Sequence, residues 1–67
     1  MTIDDLIEQG ISLDGEIEVK EIDTEGELRT VSEGDRFDIP EEFKDMEIKF
    51  MYGDNDKLVI EVYNEGN

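Results

Sequence analysis

The sequence predicts an α+β fold: a short N-terminal helix packed on a four-stranded, mainly antiparallel sheet of two β-hairpins. Three observations carry this. Thr2 and Asp5 stand at capping-box spacing ahead of apolar residues on one helical face. Two runs, Met46 to Tyr52 and Leu58 to Val62, alternate apolar and polar side chains on either side of a Gly/Asp/Asn-rich segment. A second alternating pair flanks Thr24-Glu25-Gly26. The 67 residues suffice for one hydrophobic core, so residues 1–67 read as a single small acidic domain.

The helix should run from about Ile3 to Gln9, with Ile3, Leu6 and Ile7 on its buried face. Asp4 and Asp5 suit the positive end of the helix dipole, and Gly10 suits the left-handed position that ends a helix. Ile11 and Leu13 fall in a connection closed by Asp14-Gly15. Ile17 and Val19 then point one way and Glu16, Glu18 and Lys20 the other, while Ile22 breaks the parity and suggests a bulge or change of face. A three-residue loop at Thr24-Glu25-Gly26 would set Ile22 against Leu28, Glu21 against Arg29 and Val19 against Val31.

Glu33-Gly34-Asp35 reads as a second turn, followed by Phe37 and Ile39 in extended alternation. Pro40 fits the first position of a short helical connector ending near Lys44, with Phe43 as its buried residue. In the last hairpin a five-residue loop, Gly53 to Lys57, would set Tyr52 against Leu58, Phe50 against Ile60 and Ile48 against Val62. Asn64 to Asn67 reads as a polar tail. The expected core is Ile3, Leu6, Ile7, Ile17, Val19, Leu28, Val31, Phe37, Ile39, Phe43, Ile48, Phe50, Leu58, Ile60 and Val62.

Composition narrows the chemistry. There is no cysteine and no histidine, which removes thiol chemistry, zinc–thiolate sites and the commonest general base. No enzyme constellation emerges from the remaining residues, and no catalytic residue, metal site or cofactor is expected. Asp54-Asn55-Asp56 resembles the start of a calcium loop, but the sixth position is Val59 rather than glycine, so a hairpin tip is the better account. No apolar run approaches the roughly 20 residues that span a bilayer, and the acidic opening Met1-Thr2-Ile3-Asp4-Asp5 is unlike a secretory signal. The expectation is a cytoplasmic protein.

Charge is the dominant feature: 21 Asp and Glu face 6 Lys and Arg, a formal net charge of −15. Direct binding to nucleic acid or to an anionic membrane is disfavoured, whereas a basic protein or a cation is attracted. The densest acidic stretch, Glu16, Glu18, Glu21, Asp23, Glu25 and Glu27, is the candidate interaction face. It could present carboxylates to a basic partner, in one version by mimicking a DNA phosphate track. Equally, it could serve only solubility, as charge runs commonly do. Other readings are a small-molecule or divalent-cation binding module and adaptation to high salt.

Two segments carry a family resemblance. Met1 to Gly10, and Ile39-Pro40-Glu41-Glu42-Phe43 leading into Glu47-Ile48-Lys49-Phe50-Met51-Tyr52, resemble short acidic proteins of Gram-positive prophages and integrative mobile elements. That group has no assigned activity to transfer. The resemblance implies only an accessory role in such an element.

Overall fold

The computed structural model describes residues 1–10 and 15–63. The expected connection through Ile11, Leu13 and Asp14 and the polar tail Asn64 to Asn67 lie outside the described residues. The elements are α1 (Ile3–Glu8), β1 (Ile17–Ile22), β2 (Leu28–Gly34), a 3-10 turn (Arg36–Asp38), α2 (Glu41–Lys44), β3 (Glu47–Asp54) and β4 (Lys57–Tyr63). The α+β class therefore holds. The sheet order is β2-β1-β4-β3, with both hairpin pairs antiparallel and the central pair β1/β4 parallel. Both edge strands, β2 and β3, run in the same direction. The segment between them carries the 3-10 turn and α2 from one side of the sheet to the other.

The helix cap forms as its spacing predicts. The Thr2 hydroxyl accepts the Asp5 N–H at 3.1 Å, and the Asp5 carboxylate accepts the Thr2 N–H at 3.0 Å. Two backbone donors that the first turn would leave unpaired are satisfied in this way. Six residues cannot sustain a helix alone, so α1 depends on this cap and on burying Ile3 and Leu6. Thr2→Ala is expected to lower the unfolding free energy by about 1 kcal/mol, read from a urea melt at unchanged slope.

In the first hairpin Ile22 opposes Leu28 and Glu21 opposes Arg29, as expected. The loop holds because the Asp23 carboxylate accepts the N–H groups of Glu25 (2.8 Å) and Glu27 (3.0 Å), while Gly26 supplies a φ of +85°. Val19, however, opposes Ser32 rather than Val31, because the register slips by one residue beyond Lys20/Thr30. Ile22 keeps plain alternation and lies on the face opposite Val19, so the parity break in the sequence reflects no bulge in β1 itself.

The expected turn at Glu33-Gly34-Asp35 and the extended run through Phe37 do not form. β2 continues to Gly34, and Asp35 caps a 3-10 turn, accepting the Phe37 N–H at 2.8 Å while Asp38 accepts the Asp35 N–H at 3.1 Å. A side chain at Gly34 would strike the Asp38 carboxylate, and its φ of +143° suits only glycine. Pro40 precedes α2 as its cap in extended geometry, one residue earlier than expected, and Phe43 is buried.

The second hairpin turns on two residues, Asn55 and Asp56, at φ of 49° and 65°, with Asp54 opposing Lys57. These are the side chains that best tolerate left-handed backbone, and the loop is two residues rather than five. Tyr52 therefore opposes Val59, Met51 opposes Ile60 and Phe50 opposes Glu61. A slip at Lys49 restores the expected pairing of Ile48 with Val62. A one-residue change reverses every side chain, so Phe50 leaves the core for the opposite face.

The core lies between one sheet face and the two helices. Ile17, Val19, Ile60 and Val62 pack with Ile3, Ile39 and Phe43, supported at the margins by Val31, Met46, Ile48 and Leu58. Four expected core residues are instead exposed: Ile7, Leu28, Phe37 and Phe50. Ile7 falls on the outer side of α1. Leu28 and Phe50 face away from the helices, and Phe37 is turned outward by the 3-10 turn, with the Arg36 guanidinium 4.8 Å from its ring centroid. Val59, absent from the expected core, is buried on the far side of the sheet.

Candidate interaction surface

Both described helices pack on one face of the sheet, and alternation places Glu18, Lys20, Val59 and Glu61 on the other. This second face is not merely solvated. Glu18 is only 6% exposed although it is charged. It is the hub of a network, pairing with Lys57 Nζ at 2.5 Å, accepting the Thr30 hydroxyl at 2.7 Å, and lying 3.9 Å from Lys20 Nζ. β1 is a central strand, so neighbours from β2 and β4 converge on it from both sides. The Lys57 ammonium, the Thr30 hydroxyl and Lys20 hold the Glu18 carboxyl below its ordinary range, against the upward push of burial. Glu18 in turn holds the Lys57 ammonium above its ordinary value.

Beside this hub the Tyr52 hydroxyl donates to Glu61 at 2.6 Å, and that bond raises the Tyr52 phenol above its usual value. Val59 lies in register between Glu18 and Tyr52 and is fully covered. Every buried side-chain nitrogen or oxygen among the described residues has a partner. The face thus has a satisfied polar interior, and Phe50, 61% exposed, and Tyr52, 41% exposed, stand out from it on edge strand β3.

All six basic side chains make a contact within the molecule. Lys20 and Lys57 serve Glu18, Arg29 pairs with Glu21, and Lys44 lies 3.5 Å from Glu41. Arg36 lies over Phe37, and Lys49 lies 5.2 Å from the centroid of Tyr63. Carboxylates are left in excess on the exterior.

The six acidic residues singled out in the sequence do not form one face. Glu18 and Glu21 are buried on opposite faces of β1 and are paired internally. Asp23 is engaged in the hairpin loop. Glu16, Glu25 and Glu27 are exposed, but Glu16 precedes β1 whereas Glu25 and Glu27 lie beyond its far end, about 20 Å away at strand spacing. The sheet instead gathers acids from distant parts of the chain. Glu16 at the start of β1, Glu33 at the end of β2 and Asp54 at the end of β3 share one end of the sheet with Lys57. This grouping follows from the parallel pairing of β1 with β4, which no local pattern announces. At the opposite end, Glu21, Asp23, Glu27, Leu28 and Arg29 line an open depression of about 430 Å³.

Among the described residues no three acidic side chains are placed to hold a metal ion. No described helix is long and apolar enough to cross a membrane. No family model, no curated protein and no solved structure matches the chain.

Proposed function

We propose that the protein is a non-enzymatic interaction module whose acidic exterior receives a basic protein partner. The observation that carries this reading is that each of the six cationic side chains is engaged in a contact within the molecule, against a formal net charge of −15. The exposed carboxylates of both sheet ends and of α2 outnumber the bases near them, Lys57 at one end, Arg29 at the other and Lys44 in α2. Their field speeds encounter with cations and repels nucleic acid and anionic membranes. A phosphate-like track would need carboxylates aligned along one ribbon. Their distribution over both ends of the sheet favours a broad polyanionic surface over DNA mimicry. A divalent-ion module draws no support from the described side chains, since no three acids converge. An accessory role in a mobile element accords with the resemblance of the opening and middle segments.

Affinity capture from a native extract at low salt, eluted by a salt gradient, tests the reading. Basic proteins should be retained and released as screening rises. A charge-reversed variant, Glu25→Lys with Glu33→Lys and Asp54→Lys, should weaken retention at least about tenfold. Retention that is indifferent to salt and to charge reversal, or no retention at all, would leave the carboxylates with a solubilising role only.

A further inference from the structure

We propose that the outer edge of β3, from Lys49 to Asp54, takes up an extended cationic segment of a partner protein as a fifth strand. This inference rests on the reading of the exterior as a cation-attracting surface and adds where, and in what conformation, the partner binds.

The two sheet edges are built differently. β2 carries the usual protections of an edge: charged and polar side chains at Arg29, Thr30, Ser32 and Glu33, and a register slip in its middle. β3 has its own register slip and a lysine at Lys49, but from Phe50 to Gly53 it carries neither slip nor charge. The chain itself pairs with the first residues of β3, where Thr2 bridges Glu47 and the Ile48 N–H donates to the Met1 carbonyl at 2.8 Å. That pairing shows that the edge accepts a neighbour. It stops there, because α1 begins at Ile3. Beyond it no described strand covers the edge.

The uncovered stretch reads Phe50-Met51-Tyr52-Gly53, four residues without a charge. Phe50 and Tyr52 emerge on the open face and Met51 on the other, at 61%, 41% and 48% exposure. Single exposed apolar residues are ordinary, but three in succession on a free edge form a template for strand addition. Lys49, the nearest base, is drawn over the Tyr63 ring.

Charge selects the occupant. A second copy of the chain would bring another −15 to the interface, so self-pairing is opposed. Glu47 and Asp54 bracket the stretch and are exposed. The matching segment is extended, carries lysine or arginine, and sets apolar side chains at alternate positions beside Phe50 and Tyr52. Lys49 to Asp54 span about 20 Å, which a segment of roughly six to eight residues covers.

The test uses two synthetic peptides of about eight residues with equal charge, one alternating lysine and valine, the other lysine and serine. Calorimetry at low salt should show the lysine–valine peptide binding at least about tenfold tighter. Amide exchange should slow between Lys49 and Asp54 on its addition. Phe50→Ser with Met51→Ser, at exposed positions and checked for an unchanged amide spectrum, should abolish that advantage and leave lysine–serine binding as it was. Equal affinities would overturn the strand-addition inference while keeping the acidic-surface reading. So would new protection confined to β2, or sedimentation showing dimers joined through β3. If neither peptide binds at low salt, both readings fall.

Discussion

Replacing Ile60 with alanine is expected to remove about 3–4 kcal/mol of unfolding free energy, the largest loss at any single position in the sheet. Ile60 is fully buried in a central strand, with Val19 beside it on β1 and Met51 on β3. Neither partner can move to fill the space without breaking a strand pairing, so most of the cavity should persist. A domain of this length holds roughly 3–10 kcal/mol in total, so a large share of its stability would go and the melting temperature should fall by about 15–25 °C. Phe50→Ala supplies the contrast: a larger side chain on a regular β-strand, expected to cost less than about 1 kcal/mol because it stands mostly in solvent. Urea melts of the two variants decide between registers. Equal losses would mean that Phe50 faces the helices, as in a hairpin with a five-residue loop that pairs Phe50 with Ile60.

The contrast marks the limit of what alternation reveals. Local chemistry was legible wherever a side chain speaks to its own backbone. Thr2 with Asp5 announced the helix, and Thr24-Glu25-Gly26 announced the first loop with the correct pairing of Ile22 and Leu28. The Asp35/Asp38 cap is the same kind of signal, and it overrode the apparent alternation through Phe37. Pairing across the sheet was less legible, because a run of Gly, Asp and Asn is compatible with a five-residue loop or with a two-residue turn in left-handed backbone. The difference of one residue decides where Phe50 points. Strand order was not legible in the alternation, although one clue of another kind was present. Leu58-Val59-Ile60-Glu61-Val62 is nearly continuous in apolar residues, as a strand covered on both faces tends to be, and β4 indeed buries Val59, Ile60 and Val62.

The acidic face followed from the same ambiguity. A carboxylate facing away from the core on an isolated hairpin is solvated, whereas on a central strand it meets neighbours from both sides. Glu18 is therefore a structural group, while Glu33 and Asp54, less conspicuous in the sequence, remain outward. Whether a charge is spent inside the fold or presented to a partner depends on strand order, which alternation does not encode.

Glu18→Ala is accordingly expected to destabilise the protein by about 2–3 kcal/mol, a large effect for a side chain that alternation assigns to solvent. The substitution strips Lys57 and Lys20 of their counter-charge and Thr30 of its acceptor. The loss lies toward the low end for a broken buried pair, because both lysines keep partial access to water. Glu18→Gln separates charge from packing through pH. The folded-state value for Glu18 lies below the ordinary 4.5, so its ionic contribution is complete above that value and is lost as pH falls through the depressed one. Lys57 and Tyr52 are shifted upward, so their contributions are complete below 10.5 and 10.0 respectively and are lost as pH rises through the raised values. Asp4 acts in the opposite sense at the acid end. A hydrogen bond with the Asp45 side chain raises it, so its contribution is present below 3.8 and is lost as pH rises through the folded value. The absolute acid limb mixes these signs and the relief of self-repulsion, so the informative quantity is the difference between the native protein and Glu18→Gln. That difference should be constant from about pH 6 to 9 and shrink toward zero as pH falls below about 4. A difference that persists undiminished into acid would show that Glu18 holds the sheet by its shape and not by its charge.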